Sequence, residues 1–195
     1  MKWHQALSVG LVASLSMGFV GLAVASEGMP VATVDMNDSG VWVTNHSIQH
    51  LGRFNHSAGQ IDGVAYITDV TGFDVIQEQS SVFVTGPDDG SLVQVNPPNL
   101  TLGIQQLLGS STQVSLGGGM VGILVPDQGK FWMIPVSSVA GFDPNTEVFP
   151  PVLEDLPKNS VSSVGFDGVG YVVNPTEKTL KIVWGGVSQK LNYLR

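Results

Sequence analysis

The chain has 195 residues and a formal net charge of −8, with eight Lys and Arg against sixteen Asp and Glu. This balance lacks the basic footprint that a phosphate backbone requires, and it excludes a nucleic-acid binder. The chain holds no cysteine, which excludes disulfides, thiolate metal sites and a cysteine nucleophile. A hydrophobic content of 43% excludes a disordered acidic chain, and 24 Gly and 11 Pro indicate many turns and few long helices.

The N-terminal residues have the pattern of an export signal. Lys2 precedes an uncharged stretch over residues 6–25, which ends in Ala-Val-Ala at 23–25. A small-x-small ending is typical of signal-peptidase sites, and about 20 helical residues span the roughly 30 Å hydrocarbon layer. We expect residues 1–25 to be a signal peptide or a retained signal anchor, and we prefer cleavage. Residues 26–195 are then extracytoplasmic, either secreted or anchored to the cell membrane, and only residues 6–25 contact the membrane.

Beyond residue 40, short segments rich in β-branched and aromatic residues alternate with Gly, Pro, Asn and Asp. The sequence predicts strands at 41–45, 51–55, 63–68, 73–79, 82–86, 92–96, 112–117, 121–126, 130–136, 161–166, 170–174 and 179–185. One segment, 103–108, has apolar residues at helical spacing, and we expect a single helical turn there.

A strand-turn-strand unit recurs among these segments. VWVTN and LGRFN, starting at 41, align with VFVTG and LVQVN from 82, with GILVP and KFWMIP from 122, and with YVVNP and TLKIVW from 171. Copies start about 40 to 50 residues apart, the spacing of four-stranded propeller blades. We predict an all-β fold over residues 26–195, an incomplete β-propeller-like repeat of about three four-stranded blades. A two-sheet sandwich or an irregular β-barrel is the alternative.

Three blades would not close a ring, because closed propellers have at least four. The end blade of an unclosed stack would leave an apolar face in water, which is costly. Three outcomes remain open. The chain is the N-terminal part of a longer protein, which we favour, or it completes its ring by self-association, or it folds as an open stack with irregular packing.

Several segments carry a family resemblance. VWVTN at 41–45, VFVTG at 82–86 and GYVVN at 170–174 look like the strand signature of bacterial surface propellers named for a Tyr-Val-Thr-Asn repeat. The stretches 31–45, 51–55, 59–63 and 164–180 are similar to large actinobacterial exported proteins, which carry fibronectin type III or Ig-like modules after a propeller-like region. The resemblance implies a propeller fold and contacts at the cell surface, and its motifs are structural rather than catalytic. The 195 residues contain no such modules.

Three groups of residues in the sequence are of types that could bind a metal, bind phosphate or act as paired carboxylates. His46, His50 and His56 are the one cluster with metal-ligand character, and we expect solvated turn histidines because no carboxylate is fixed beside them. The run 117–119 is Gly-Gly-Gly and lacks the Gly-Lys-Ser/Thr ending of a phosphate loop, so we expect a turn or bulge. Adjacent carboxylates at 88–89 and 154–155 would point to opposite faces of a strand.

The remaining candidates also favour structural roles. The oxygen-rich stretch 143–147 could hold calcium but lacks the spacing of a known loop, so a turn is expected. We expect Trp42, Trp132 and Trp184 to pack between blades rather than to form a sugar platform. We expect the four Asn-x-Ser/Thr triplets to be turn residues, and they begin at Asn37, Asn45, Asn55 and Asn99.

The sequence therefore favours an exported, non-catalytic β-repeat scaffold or interaction module at the bacterial cell surface. We expect no catalytic residue, cofactor or metal, and a protein or cell-envelope partner of unknown identity. The alternative is an extracytoplasmic enzyme, of hydrolase or lyase type, whose active site in the propeller channel is incomplete in this chain. A membrane-anchored sensor or assembly factor is a third hypothesis, which depends on retention of the leader.

Overall fold

The computed structural model describes residues 40–68, 72–86 and 88–192. These residues form fifteen β-strands and one 3₁₀ helix at Val136–Gly141. The strands are β1 Gly40–Asn45, β2 His50–Asn55, β3 Gln60–Tyr66, β4 Asp74–Glu78, β5 Ser81–Gly86, β6 Ser91–Asn96, β7 Thr101–Leu102, β8 Gln106–Leu107, β9 Gln113–Gly117, β10 Met120–Val125, β11 Lys130–Pro135, β12 Val161–Val164, β13 Gly170–Asn174, β14 Thr179–Trp184 and β15 Val187–Asn192.

All twelve predicted strands are present, with ends that agree to within three residues. The helical turn expected at 103–108 is wrong, because this segment contains β8, which pairs with β6. A helix of six residues is only marginally stable by itself, and the pairing of β8 with the edge of β6 is the more favourable alternative. The short helix lies at 136–141 instead, where Val139 is buried.

The strands form four antiparallel sheets, which we call blades I to IV. Blade I has the order β1-β2-β3, blade II has β4-β5-β6-β7 with β8 also on β6, blade III has β9-β10-β11, and blade IV has β12-β13-β14-β15. A single bridge from Phe131 to Leu153 extends blade III at its outer edge. The all-β, propeller-like prediction is confirmed. The described residues hold four blades rather than about three, because blades I and III contain three strands each.

One turn recurs in all four blades. The hairpins β1–β2, β5–β6, β10–β11 and β13–β14, one in each blade, join their strands through four residues. These turns lie between the pairs Asn45–His50, Gly86–Ser91, Val125–Lys130 and Asn174–Thr179. The fourth residue of every turn has a positive φ, and these residues are Gln49, Gly90, Gly129 and Lys178. Gly90 is obligatory, because a Cβ there would lie 1.7 Å from the carbonyl oxygen of Gly109. The sequence repeat thus corresponds to a structural one.

The shared turn fixes how the copies align. Counting back from the turn places Val41, Val82, Val121 and Gly170 at one position. The alignment of the segment at 82 with that at 41 is confirmed. The alignments that started at 122 and 171 are wrong by one residue, and such a slip exchanges the two faces of a strand.

The hydrophobic core lies between the blades, in three clusters of buried side chains. Blades I and II share Trp42, Leu51, Val82, Val84, Val93 and Val95. Blades II and III share Phe83, Leu92, Val121, Ile123, Val125, Trp132 and Ile134, and blades III and IV share Leu124, Phe131, Val172 and Val183. Each large apolar side chain buried in this way contributes roughly 1.5–3 kcal/mol. We call each of these inter-blade contacts a joint.

The predicted export segment at 6–25 lies outside the described residues. Within the part of the chain that is described, no helix has the length and apolar character needed to cross a membrane.

Candidate interaction surfaces

The first two joints follow one rule, which the register of β1, β5 and β10 sets. In blades I and II, the second position of the repeat holds an aromatic side chain that faces the next blade, and the residues on either side of that position face the preceding blade. Trp42 of blade I packs in one cluster with Val82 and Val84 of blade II. Phe83 of blade II packs in the next with Val121 and Ile123 of blade III. Blades I and II therefore offer valine-type residues on one face and an aromatic residue at the second position on the other. In blade III the second position is Gly122, and Phe131 of β11 packs against blade IV.

The outward face of blade I is largely apolar, and none of the described residues covers it; we call it the front face. Its central row joins Val43, Gly52 and Val64 across three strands. The residues that share it are Val41, Val43, Asn45, His50, Phe54, Ile61, Val64 and Tyr66. Val41 is 52% exposed and Tyr66 is 67% exposed. Val41 and Val43 occupy the positions that Val82 and Val84 fill in the first joint, where both are 1% exposed.

The outward face of blade IV is also apolar, and we call it the rear face. Its rows pair Tyr171 with Ile182 and Leu180 with Leu191, and Trp184 pairs with Val187 at the end of the hairpin. The residues that share it are Val161, Ser163, Tyr171, Val173, Leu180, Ile182, Trp184, Val187, Gln189 and Leu191. Trp184 is 42% exposed and Val187 is 56% exposed. Neither face carries Asp, Glu, Lys or Arg among these described residues, so both resemble joints without a second half.

Two glutamine side chains lock neighbouring blades together. The Gln77 amide of β4 donates to the Gly40 carbonyl oxygen at 2.7 Å and accepts from the Trp42 N–H at 3.3 Å. The Gln113 amide of β9 donates to the Ser160 carbonyl oxygen at 3.0 Å and accepts from the Ser162 N–H at 3.1 Å. Each amide continues the β-ladder across a joint. The polar side chains of β4 and β9, which we call inner strands, therefore hold neighbouring blades together.

The run 117–119 forms the turn between β9 and β10, as expected. Its two exposed N–H groups, at Gly118 and Gly119, donate to the Glu78 carboxylate at 2.7 and 3.1 Å. Consecutive N–H groups with positive φ make an anion-binding concavity. Here the anion is supplied by the chain itself, from the end of β4, and the contact ties blade II to blade III.

The three candidate histidines are not brought to one point. His46 lies in the β1–β2 turn and stacks on Phe73 with ring centroids 5.1 Å apart. His50 lies at the start of β2 and contacts the Tyr66 ring at 4.0 Å. His56 follows the far end of β2, about 20 Å away along the strand at about 3.3 Å per residue. In the described part of the chain, no group of three or more His, Asp or Glu side chains is placed to hold a metal ion.

The other sequence candidates occupy turns or joints. Asp143 accepts bonds from the N–H and the side-chain amide of Asn145, which closes a turn. Asp89 caps the N–H of Ser91 in the same way, and Asn45 and Asn55 cap the turns that follow them. The prediction that these tryptophans pack between blades is confirmed for Trp42 and Trp132, which are buried in joints. It is wrong for Trp184, which lies on the rear face and is 42% exposed.

Three exposed ion pairs shift the pKa values of their acids. The Arg53 guanidinium, 2.8 Å from Asp62, and the Asn55 amide lower the pKa of the Asp62 carboxyl. Lys158 lowers the pKa of the Asp127 carboxyl, and Asp127 raises the pKa of the Lys158 amine. Lys190 lowers the pKa of the Glu177 carboxyl. Arg53 also donates to the Pro97 carbonyl oxygen of blade II, so the first of these pairs braces the joint between blades I and II.

An open cleft of about 780 Å³ runs along that joint. Its charged lining residue is Arg53, and its other polar side chains are those of Ser80, Ser81, Gln94, Asn96 and Thr101. Because Arg53 is engaged by Asp62 and by blade II, the cleft is part of the joint. No sequence motif predicts this cleft, because its lining residues lie on separate strands and turns.

No protein-family model and no curated protein matches the sequence. Solved structures match in fold. Dihydro-heme d1 dehydrogenase NirN in complex with DHE superposes with a TM-score of 0.58 at 11% identity, over 80% of this chain and 35% of that one. Virginiamycin B lyase from Staphylococcus aureus, as a catalytically inactive variant with quinupristin, gives 0.55 at 13% identity, over 80% and 53%. Apo AztD from Citrobacter koseri gives 0.51 at 10% identity, over 74% and 44%.

These neighbours are β-propeller-like proteins. The four blades form a β-propeller-like fold. The chain spans between about a third and about half of the length of these neighbours, and at such identities the likeness concerns fold alone.

Proposed function

We propose that this chain is a non-catalytic β-repeat scaffold that acts by binding through its two end faces. The observation that carries the proposal is the pair of uncharged, apolar faces on blades I and IV. Large exposed apolar patches on a folded domain mark interaction sites. The partner is a protein or a component of the cell envelope.

We further propose that the scaffold works at the bacterial cell surface. The export pattern over residues 1–25 supports this location, as does the resemblance of the strand motifs to actinobacterial surface proteins with fibronectin type III or Ig-like modules. The low charge and apolar character of the end faces suit contact with other folded modules rather than with nucleic acid.

The enzyme hypothesis would require polar side chains of the inner strands to be available to a substrate. Gln77, Glu78 and Gln113 each bond to the backbone of a neighbouring blade. This use of the inner-strand side chains favours the scaffold. Turnover of any substrate that depends on one mutable side chain would overturn the proposal.

Site-specific photo-crosslinking in living cells tests the proposal directly. A photoreactive residue is placed at Val43 or at Trp184, and a matched one is placed at Ile104, which is 82% exposed but belongs to neither face. We expect discrete adducts at the two face positions and none at Ile104. Equal labelling at all three positions, or no adduct at the faces, would contradict a binding role for them.

A further inference from the structure

We propose that the partner of both end faces is a second copy of this chain, with the front face of each copy packed on the rear face of the other. The inference rests on the proposed function, which requires only that the faces bind, and it names what they bind.

The chain carries both halves of a contact that it already makes. Tyr171 occupies the repeat position of Trp42 and Phe83, the aromatic residues that face the next blade. Val41 and Val43 occupy the positions of Val82 and Val84, which receive Trp42. Packing Tyr171 of one copy on Val41 and Val43 of the other would repeat the first joint of the chain, with an aromatic ring set between two valines.

The charge of the faces agrees with self-association. The chain has a net charge of −8, so two copies repel each other wherever acidic surface meets acidic surface. The front and rear faces carry no Asp, Glu, Lys or Arg among their described residues, and the front face carries one histidine, His50. These faces are therefore where two such chains approach with the smallest electrostatic cost.

Two copies joined twice make a closed assembly. Each copy supplies four blades, and the eight blades of a pair lie within the range of four to eight that propellers adopt. A single joint of several hundred Å² is small beside the roughly 800 Å² per partner of a stable complex. Closure forms both joints at once, which doubles the area and stops growth at two copies.

The test measures the mass of the full chain in solution by light scattering after size exclusion, across a range of concentrations. We expect the wild-type chain to be a dimer. Val43→Lys and Tyr171→Glu each place an unpaired charge in both joints of a homodimer, and each should weaken dimerisation at least 100-fold. Ile104→Lys and Tyr171→Phe are the controls, and both should remain dimeric.

Mixing the two charge variants gives the decisive result. In a mixed pair, one joint sets Lys at position 43 against Glu at position 171, and the other joint is wild-type. We therefore expect an equal mixture of the two monomeric variants to recover a dimer, whereas neither variant alone does so. Circular dichroism of each variant confirms that it is folded, and a misfolded Tyr171→Glu is replaced by Trp184→Glu.

A monomeric wild-type chain, a dimer that ignores both face variants, a mixture that stays monomeric, or oligomers that grow beyond two would each overturn the inference. The proposed function fails separately. If the photo-crosslinked adducts at Val43 contain another protein, the binding role stands and the second copy is excluded. If those positions give no adduct, the binding role falls.

Discussion

Gly118 lies where three blades meet. Its N–H binds the Glu78 carboxylate of blade II, and its Cα faces the turn of blade IV, where a Cβ would come within 2.2 Å of the Gly168 nitrogen. Its φ is +56°, a conformation that costs an L-residue roughly 1–2 kcal/mol. A triplet of glycines thus has a packing role that its composition alone does not reveal.

Replacing Gly118 by Ala should destabilise the chain by more than about 3 kcal/mol, because the methyl group adds a clash with backbone to the strain of the positive φ. Gly119→Ala is the matched control, since Gly119 has φ +71° but nothing within 4 Å of its Cβ position. We expect the control to lose only about 1–2 kcal/mol. Urea unfolding of both variants measures the difference, and equal losses would contradict the packing role.

Asp62 gives a pH dependence whose sign follows from its pKa. Because Arg53 and Asn55 depress that pKa in the folded chain, the interaction stabilises the fold above the unfolded pKa of about 3.9 and is lost as the pH falls through the lower, folded value. Asp62→Asn should therefore be less stable than wild type at pH 6. The gap should narrow as the pH falls below the unfolded pKa, as urea midpoints against pH would show, and a gap that stays constant into acid would refute the assignment.

The blades are held by a few elements that act across joints. Gln113 of β9 pairs with two backbone groups of blade IV, and Gln77 of β4 does the same for blade I. Such an amide replaces a missing strand, because one of its N–H donors and its carbonyl oxygen match the donor and acceptor pattern of a β-ladder.

Gln113→Ala should cost about 1–3 kcal/mol, since two hydrogen bonds at a half-buried site are lost. The amide hydrogen of Ser162 should also exchange faster with solvent. The amide hydrogens of blade I, which Gln113 does not contact, should keep their exchange rates. Gln60→Ala removes an exposed glutamine of β3 and should change neither quantity by much. Unchanged exchange at Ser162 would show that the amide is not a lock.

The sequence predicted the long strands because their alternation and β-branched content are local signals. It missed β7 and β8, which are two residues each and are set by pairing with β6 rather than by their own pattern. It missed β15 because four of its six residues are polar and all six are exposed. The one-residue errors in the repeat arose because Pro126 and Pro175 resemble strand ends in sequence, whereas the strands end one residue earlier.

At the scale of the whole molecule, the sequence indicated that an open stack of blades would leave an apolar face in water. The structure identifies the residues of two such faces, one on blade I and one on blade IV. The sequence could not assign Val41 and Tyr171 to uncovered faces, since Val82 and Phe83 have the same character and are buried. Only the position of a blade in the stack separates the two cases.

Both end faces should be covered when the protein performs its function. Hydroxyl-radical labelling, read by mass spectrometry, compares Tyr66 and Trp184 on cells with the same residues in the isolated chain at high dilution. Phe166, which is 92% exposed and belongs to neither face, is the internal reference. We predict that Tyr66 and Trp184 are protected on cells while Phe166 is labelled in both samples. Equal labelling of Tyr66 and Trp184 in the two samples would contradict the account.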